Sequence, residues 1–254
     1  MRTWLRSGFQ TTAAILLVIG IWESISRGGL VNASLFPPPS QIILAFRELA
    51  MSGSLLTHIG ASIWRAILGL CVGTAIGILM GLFTGRNTIA RAMVAPIIHI
   101  IRSFPPVAII PLVIVWLGIG DTAKVFAISF GVFFPVWVNT HQGSRQIPSQ
   151  YLHAARLLTK KAWKRWAYVI LPGTLPFIIA GVRNGIAIAY IMVFVSELAG
   201  ASRGVGYIIS IAHLAYRIDR MIVGLMILGL LGATSDGLFM FVTRKLFPWI
   251  RKTT

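Results

Sequence analysis

Negative charge is scarce in this sequence: Asp and Glu number 6 against 23 Lys and Arg, and charged residues of both signs make up only 11% of the chain. Soluble domains carry about a quarter of their residues as charges. With a mean hydropathy of +0.82, the chain has too little polar material to cover a soluble globule. Cysteine is represented by Cys71 alone, within a long uncharged segment. That leaves no disulfide framework, and the residue reads as a small core side chain. His58, His99, His141, His153 and His213 are scattered without ligand spacing, so no metal is expected. No Gly-x-x-x-x-Gly-Lys-Ser/Thr run occurs, so any ATP must be hydrolysed by another polypeptide. Nor is there a paired-carboxylate, nucleophile or metal constellation that would make the chain an enzyme. The net charge of +17 invites nucleic acid, yet the cations punctuate apolar runs instead of forming a patch with interleaved aromatics, and no nucleic acid is expected.

What is present is a series of long uncharged runs, at roughly 9–26, 60–84, 92–118, 124–142, 175–198 and 221–243. About 20 helical residues cross about 30 Å of hydrocarbon. The expectation is therefore an all-α integral membrane protein with about six transmembrane helices in one domain, 1–254. The first run could pass for a signal peptide, but no small-residue cleavage site follows Ile21-Trp22-Glu23, which favours an uncleaved span. With a cytoplasmic N-terminus the inner segments hold fourteen Lys and Arg, including Arg2, Arg6, Arg251 and Lys252, against six outside, among them Lys124. This bias places both termini in the cytoplasm.

Proline and glycine punctuate the runs. Phe36-Pro37-Pro38-Pro39-Ser40 cannot be helical, and Ser40 is expected to cap a short amphipathic helix over 41–50 on the outer surface. Gly69, Gly73, Gly77, Gly81 and Gly85 recur every four residues, which aligns them on one face for close helix packing. Pro105, Pro106 and Pro111 remove backbone donors from the third run, which must be broken or kinked there. Irregular backbone at that depth needs cover from protein or a water-filled path. Arg102 is expected either to snorkel to an interface or to face a pathway. Arg183 and Glu197 are costly in lipid and are expected to form a gate or a structural ion pair, with Glu197 the counter-charge of Arg102 or Arg183.

One stretch stands apart. YLHAARLLTKKAWKRWAYVILPGTLP, residues 151–176, places Arg156, Lys160, Lys161, Lys164 and Arg165 on half of a helical wheel and Leu152, Ala155, Leu158, Ala162, Trp163 and Trp166 on the other. Two readings fit: a helix resting on anionic lipid, or a docking helix for a cytoplasmic partner. The stretch resembles the coupling loop of ABC-importer permeases, Glu-Ala-Ala, then Gly after three intervening residues, then Ile-x-Leu-Pro after nine more. Here the positions read His153-Ala154-Ala155, Thr159 and Val169-Ile170-Leu171-Pro172. Ile101-Arg102-Ser103-Phe104-Pro105-Pro106-Val107-Ala108, Trp116-Leu117-Gly118-Ile119-Gly120, Phe133 to Thr140, Gly181-Val182-Arg183, Ser196-Glu197-Leu198 and Leu35-Phe36-Pro37-Pro38-Pro39 fall in the order of the sulfonate, taurine and nitrate or bicarbonate branch of that family.

The resemblance implies a type I ABC-importer fold with a coupling loop at about 143–172, two docked ATPase subunits, a second copy of the permease, and an extracytoplasmic solute-binding protein. ATP and Mg would act in the ATPase partner, with no cofactor on this chain. His153, Ala154, Ala155, Thr159, Leu171 and Pro172 would couple to the ATPase, Thr159 turning the chain at a backbone cost where the family has glycine. Arg102, Pro105, Pro106, Arg183 and Glu197 would line the path or gate. The expected setting is the bacterial inner membrane and the cargo a small anion, sulfonate or taurine-like, nitrate or bicarbonate, since arginine offers bidentate donors; a related branch takes up thiamine precursors. The alternative from another class is an ion-coupled secondary transporter, using Glu23, Glu197 and Asp236 as proton relays.

Overall fold

The computed structural model describes residues 2–29 and 31–249, with side chains described from residue 13 onward. Regular structure among them is helical: α1 Arg2–Arg27, α2 Pro39–Met51, α3 Leu55–Arg86, α4 Thr88–Ile101, a 3-10 turn at Pro106–Ile109, α5 Ile110–Leu117, α6 Asp121–Arg145, α7 Ser149–Leu158, α8 Ala162–Arg165, a π-helical turn at Trp166–Ile170, α9 Leu171–Leu198, α10 Val205–Leu214 and α11 Ile218–Leu246. Among the described residues, four helices are long and apolar enough to cross a membrane: α3, α6, the continuous Ala162–Leu198 and α11. A fifth crossing is made if α4 and the Pro106–Leu117 segment count as one span bent by 84°. The first expected run, 9–26, falls in α1, and its opening side chains lie outside the described residues, as do the side chains of Arg2 and Arg6 and residues Arg251 and Lys252.

The glycine ridge sets the centre of the bundle. A Cβ added at Gly73 would come within 2.8 Å of Val132 Cβ, at Gly77 within 2.9 Å of Val136 Cβ, and at Gly81 within 2.6 Å of Thr140 Cβ. Each step of four on α3 is matched by a step of four on α6, so the two helices run parallel in constant register. Such closeness forbids even one methyl group and brings the two backbones together. The contacts between α6 and α9 run the other way: Gly181 meets Val136 and Asn139, Gly185 meets Val132, and Gly131 meets Ile188 and Met192. Ile128, Val132, Val136 and Trp137 of α6 are fully buried between these neighbours.

Parallel α3 and α6 require the chain to return between them, and the bent segment α4–α5 makes that return. The bend follows from proline chemistry. Helix α4 ends in short-range bonds, Ser103 N–H to Ile100 C=O and Phe104 N–H to Ile101 C=O. Pro105 then sits extended at φ −59°, ψ 123°, and Pro106 opens the 3-10 turn, where its missing N–H costs nothing. A π-helical turn precedes Pro172 for a related reason: proline has no N–H for the carbonyl four residues back, and the local widening relieves its ring.

The expected cap of α2 is corrected. Pro38 is the N-cap and Pro39 opens the helix with its fixed φ, so Ser40 lies inside the first turn. Its N–H and hydroxyl donate to the Glu23 carboxylate at 3.1 and 2.8 Å. An anion from α1 thus serves the helix N-terminus that Ser40 was expected to serve itself.

Candidate functional site

Each of the six acidic residues is paired with an arginine: Glu23 with Arg27, Glu48 with Arg217 and Arg220, Asp121 and Glu197 with Arg65, Asp219 with Arg217, and Asp236 with Arg183. Three of these pairs, Arg65 with Asp121 and with Glu197 and Arg183 with Asp236, join long apolar helices and form two polar networks.

The first centres on Glu197, which is 1% exposed near the end of α9. It accepts from Arg65 Nη1 at 2.6 Å, from Gly206 N–H at 2.9 Å and from the Ser62 hydroxyl, whose oxygen lies 2.8 and 2.9 Å from its two oxygens. Ser62 in turn accepts from Val205 N–H at 2.9 Å. Arg65 Nη1 also donates to the Arg203 carbonyl at 2.6 Å, and the remaining edge engages Asp121, Nε at 2.9 Å and Nη2 at 2.7 Å. The chain from Ser196 to Gly206 folds around its own carboxylate. Gly204 has φ +134°, and a side chain there would collide with the Glu197 carboxylate. A buried carboxylate survives only with this degree of satisfaction. Lys124, at the same end of the bundle, is 5% exposed and donates to the carbonyls of Ile119 at 2.6 Å and Gly120 at 3.3 Å.

Glu197 was expected to neutralise Arg102 or Arg183; it does neither. Arg183 precedes it by fourteen positions on α9, about 21 Å along the helix. Arg183 pairs instead with Asp236 of α11, Nε to Oδ1 at 2.9 Å and Nη2 to Oδ2 at 3.0 Å. The pair borders a cavity of about 560 Å³ between α9 and α11. Arg102 follows α4 as its C-cap, is exposed, and makes no ion pair among the described residues. The five path residues therefore occupy three places: the α4–α5 bend, the Glu197 network and the α9–α11 cavity. Arg65 and Ser62 escaped notice in the sequence. Their spacing of three, one turn before Gly69, was the available signal, because it puts both on the ridge side of α3.

The 151–172 stretch is two short helices, not one wheel. The chain breaks at Thr159, which is extended at φ −154°, ψ 133° and accepts from Lys161 N–H at 3.2 Å through Oγ1. The backbone cost expected of threonine there is not incurred, because no positive φ is needed. His153 and Ala154 are exposed, Ala155 is 6% exposed, and Leu157 and Leu158 stand out at 89% and 85%. Leu171 and Pro172 open α9. Arg86 donates to the Ser144 carbonyl at 3.2 Å, and Gly173 lies against Ile147, so α7 and α8 project from the end of the bundle where α3 and α6 finish and α9 begins.

The family model for the inner membrane component of binding-protein-dependent transport systems matches residues 73–248. The chain belongs to this family. A Bacillus subtilis (strain 168) permease named for aliphatic sulfonates transport is 35% identical over 92% of this chain and 84% of its own. The taurine transport system permease of Escherichia coli (strain K12) is 30% identical over 94% and 88%. The nitrate import permease of a Synechocystis strain is 24% identical over 94% and 89%. Among solved structures, a chain of the MetNI methionine ABC transporter in inward-facing conformations aligns with TM-score 0.62 and 22% identity, covering 81% of this chain and 98% of that one, which establishes a shared fold. The permease is thus a membrane component of ABC import, and the ion-coupled carrier reading is set aside. The carboxylates that reading needed, Glu23, Glu197 and Asp236, are each held by arginine.

Proposed function

We propose that this permease works as a pair of identical chains around one path, driven by two ATPase subunits docked on α7 and α8 and supplied by an extracytoplasmic binding protein. The observation that carries the docking is the cluster Ala154, Leu157 and Leu158, exposed on a loop that nothing in its own fold covers. The same end of the bundle gathers Arg86, Arg145, the five cations from Arg156 to Arg165, Arg244 and Lys245, which favours its cytoplasmic placement and, with it, both termini inside. ATP bound in the partner would close the ATPase pair, move these loops and swing the spans from inward-open to outward-open. The cargo is a small anion. Relatives named for aliphatic sulfonates, taurine and nitrate support that class, and Arg183 with its planar fork suits a sulfonate head.

A lipid-resting loop is the competing account, favoured by exposed Trp163 and Tyr168 and by Lys164 lying 5.9 Å over the Trp163 ring. Ala154→Trp separates the two. Docking predicts that the bulky ring keeps the ATPase off while the permease stays in the membrane, read as loss of ATPase co-purification. Full association in Ala154→Trp, with loss of association only when Lys160 and Lys161 are neutralised, supports the lipid-resting loop.

A further inference from the structure

The cavity between α9 and α11 has two chemically different ends. One is polar: Arg183, Asn184 and Asp236 meet there. The other is an apolar groove walled by Tyr190, Phe194, Leu225 and Leu228. From Arg183 to Phe194 is eleven helical residues, about 16 Å. The residues lining it recur at one-face spacing on both helices, Arg183, Ala187, Tyr190 and Phe194 on α9 against Leu225, Gly229, Gly232 and Asp236 on α11. The antiparallel course of the two helices puts both charges at the same end. A Cβ added at Gly232 would lie 3.7 Å from the Tyr190 ring, and the Tyr190 hydroxyl is bonded to the Ser235 hydroxyl at 2.7 Å, so the ring is held as part of the wall.

Two physical facts favour a ligand site over a structural seam. The Arg183 side chain is 54% exposed and that of Asp236 31% exposed in the single chain. A charge pair near the middle of an apolar helix cannot face lipid at that exposure without a large cost, so it faces a wet path. Asp236 engages only Nε and Nη2, which leaves the Nη1 edge of the guanidinium able to donate to an arriving anion. The apolar wall adds nothing for nitrate or bicarbonate. It rewards a tail.

We propose that this cavity is an intramembrane binding site for alkane sulfonates, with Arg183 donating to the sulfonate head, Asp236 acting as the resident counter-ion that neutralises Arg183 in the empty state, and the alkyl chain lying along Tyr190, Phe194 and Leu228. The assignment rests on the ABC-import reading above and narrows its cargo from small anions to those with an apolar tail.

The test uses the permease assembled with its ATPase and binding protein in proteoliposomes, and compares ATP-driven uptake of methanesulfonate and hexanesulfonate. The binding protein is the same in every arm, so a changed ratio reports on the permease. Ala187→Leu fills the middle of the groove, and the hexanesulfonate-to-methanesulfonate uptake ratio should fall by about tenfold, the scale on which pockets discriminate methylenes. Arg183→Lys keeps the charge but loses the planar fork, and uptake of both sulfonates should fall by about tenfold or more. Assembly of each variant is followed by co-purification with the ATPase; if Arg183→Lys does not assemble, the Ala187→Leu ratio decides alone. An unchanged ratio in Ala187→Leu, or full sulfonate uptake by assembled Arg183→Lys, overturns the assignment while leaving ATP-driven import intact. A wild-type complex that consumes ATP but takes up neither sulfonate overturns it as well. A wild-type complex with no ATP-driven uptake of any anion overturns the import reading and this site with it.

Discussion

Six carboxylates among so many cations have no shortage of partners, and which arginine each one takes is decided by helix register. Glu197 could be recognised in the sequence as a costly intramembrane acid, but its partner could not, because Arg183 sits a long way down the same helix and Arg65 arrives from α3. Ser40 and Thr159 were misread in a similar way. Each was judged on its own propensity, whereas Glu23 reaches Ser40 from another helix and Thr159 adopts an ordinary extended conformation. The Arg65–Glu197 pair lends itself to measurement. Breaking a buried, fully bonded ion pair from one side costs about 3–5 kcal/mol, while replacing both partners with apolar groups of similar size is often close to neutral. Arg65→Met should therefore lower the thermal stability of the purified permease sharply, and Arg65→Met combined with Glu197→Leu should recover much of the loss. Wild-type melting in Arg65→Met would mean that the network contributes little to the fold.

At the scale of elements, local chemistry was legible and long-range geometry was not. The break in the third apolar run is dictated by Pro105 and Pro106, and it appears where they stand. The glycine ridge announces a close contact but not with what; only the matching steps along α6 reveal a parallel neighbour. Gly77→Leu forces a branched side chain into the Val136 contact, with an overpacking cost of roughly 1–3 kcal/mol. The expected outcome is reduced yield of assembled, monodisperse permease before any change in cargo preference; normal assembly with altered affinity alone would contradict a packing role. The coupling loop shows the opposite limit. Sequence alone made Ala154 and Ala155 equivalent small residues, yet Ala155 is buried by its own chain and Ala154 faces outward. A bulky residue at position 155 would disturb the permease itself, so only position 154 tests docking.

Across the whole molecule, composition alone excluded a soluble globule, and the order of motifs identified the family that the comparisons establish. The number of crossings was less legible, because a bent pair of helices and a polar-ended first helix blur any count based on run length. Parallel α3 and α6, α9 running against them and α11 running against α9 leave the coupling loop and the densest cations at one end, and the Glu197 network and the Gly200 to Gly204 loop at the other. This two-ended layout suits a machine that receives cargo on one side and force on the other. The most direct measurement is uptake by sealed vesicles carrying this permease, with and without its ATPase partner and with ATP inside or withheld. Anion accumulation should require the permease, the ATPase and ATP together, and should be indifferent to a proton gradient. Accumulation driven by a proton gradient in vesicles that contain this chain alone would contradict it.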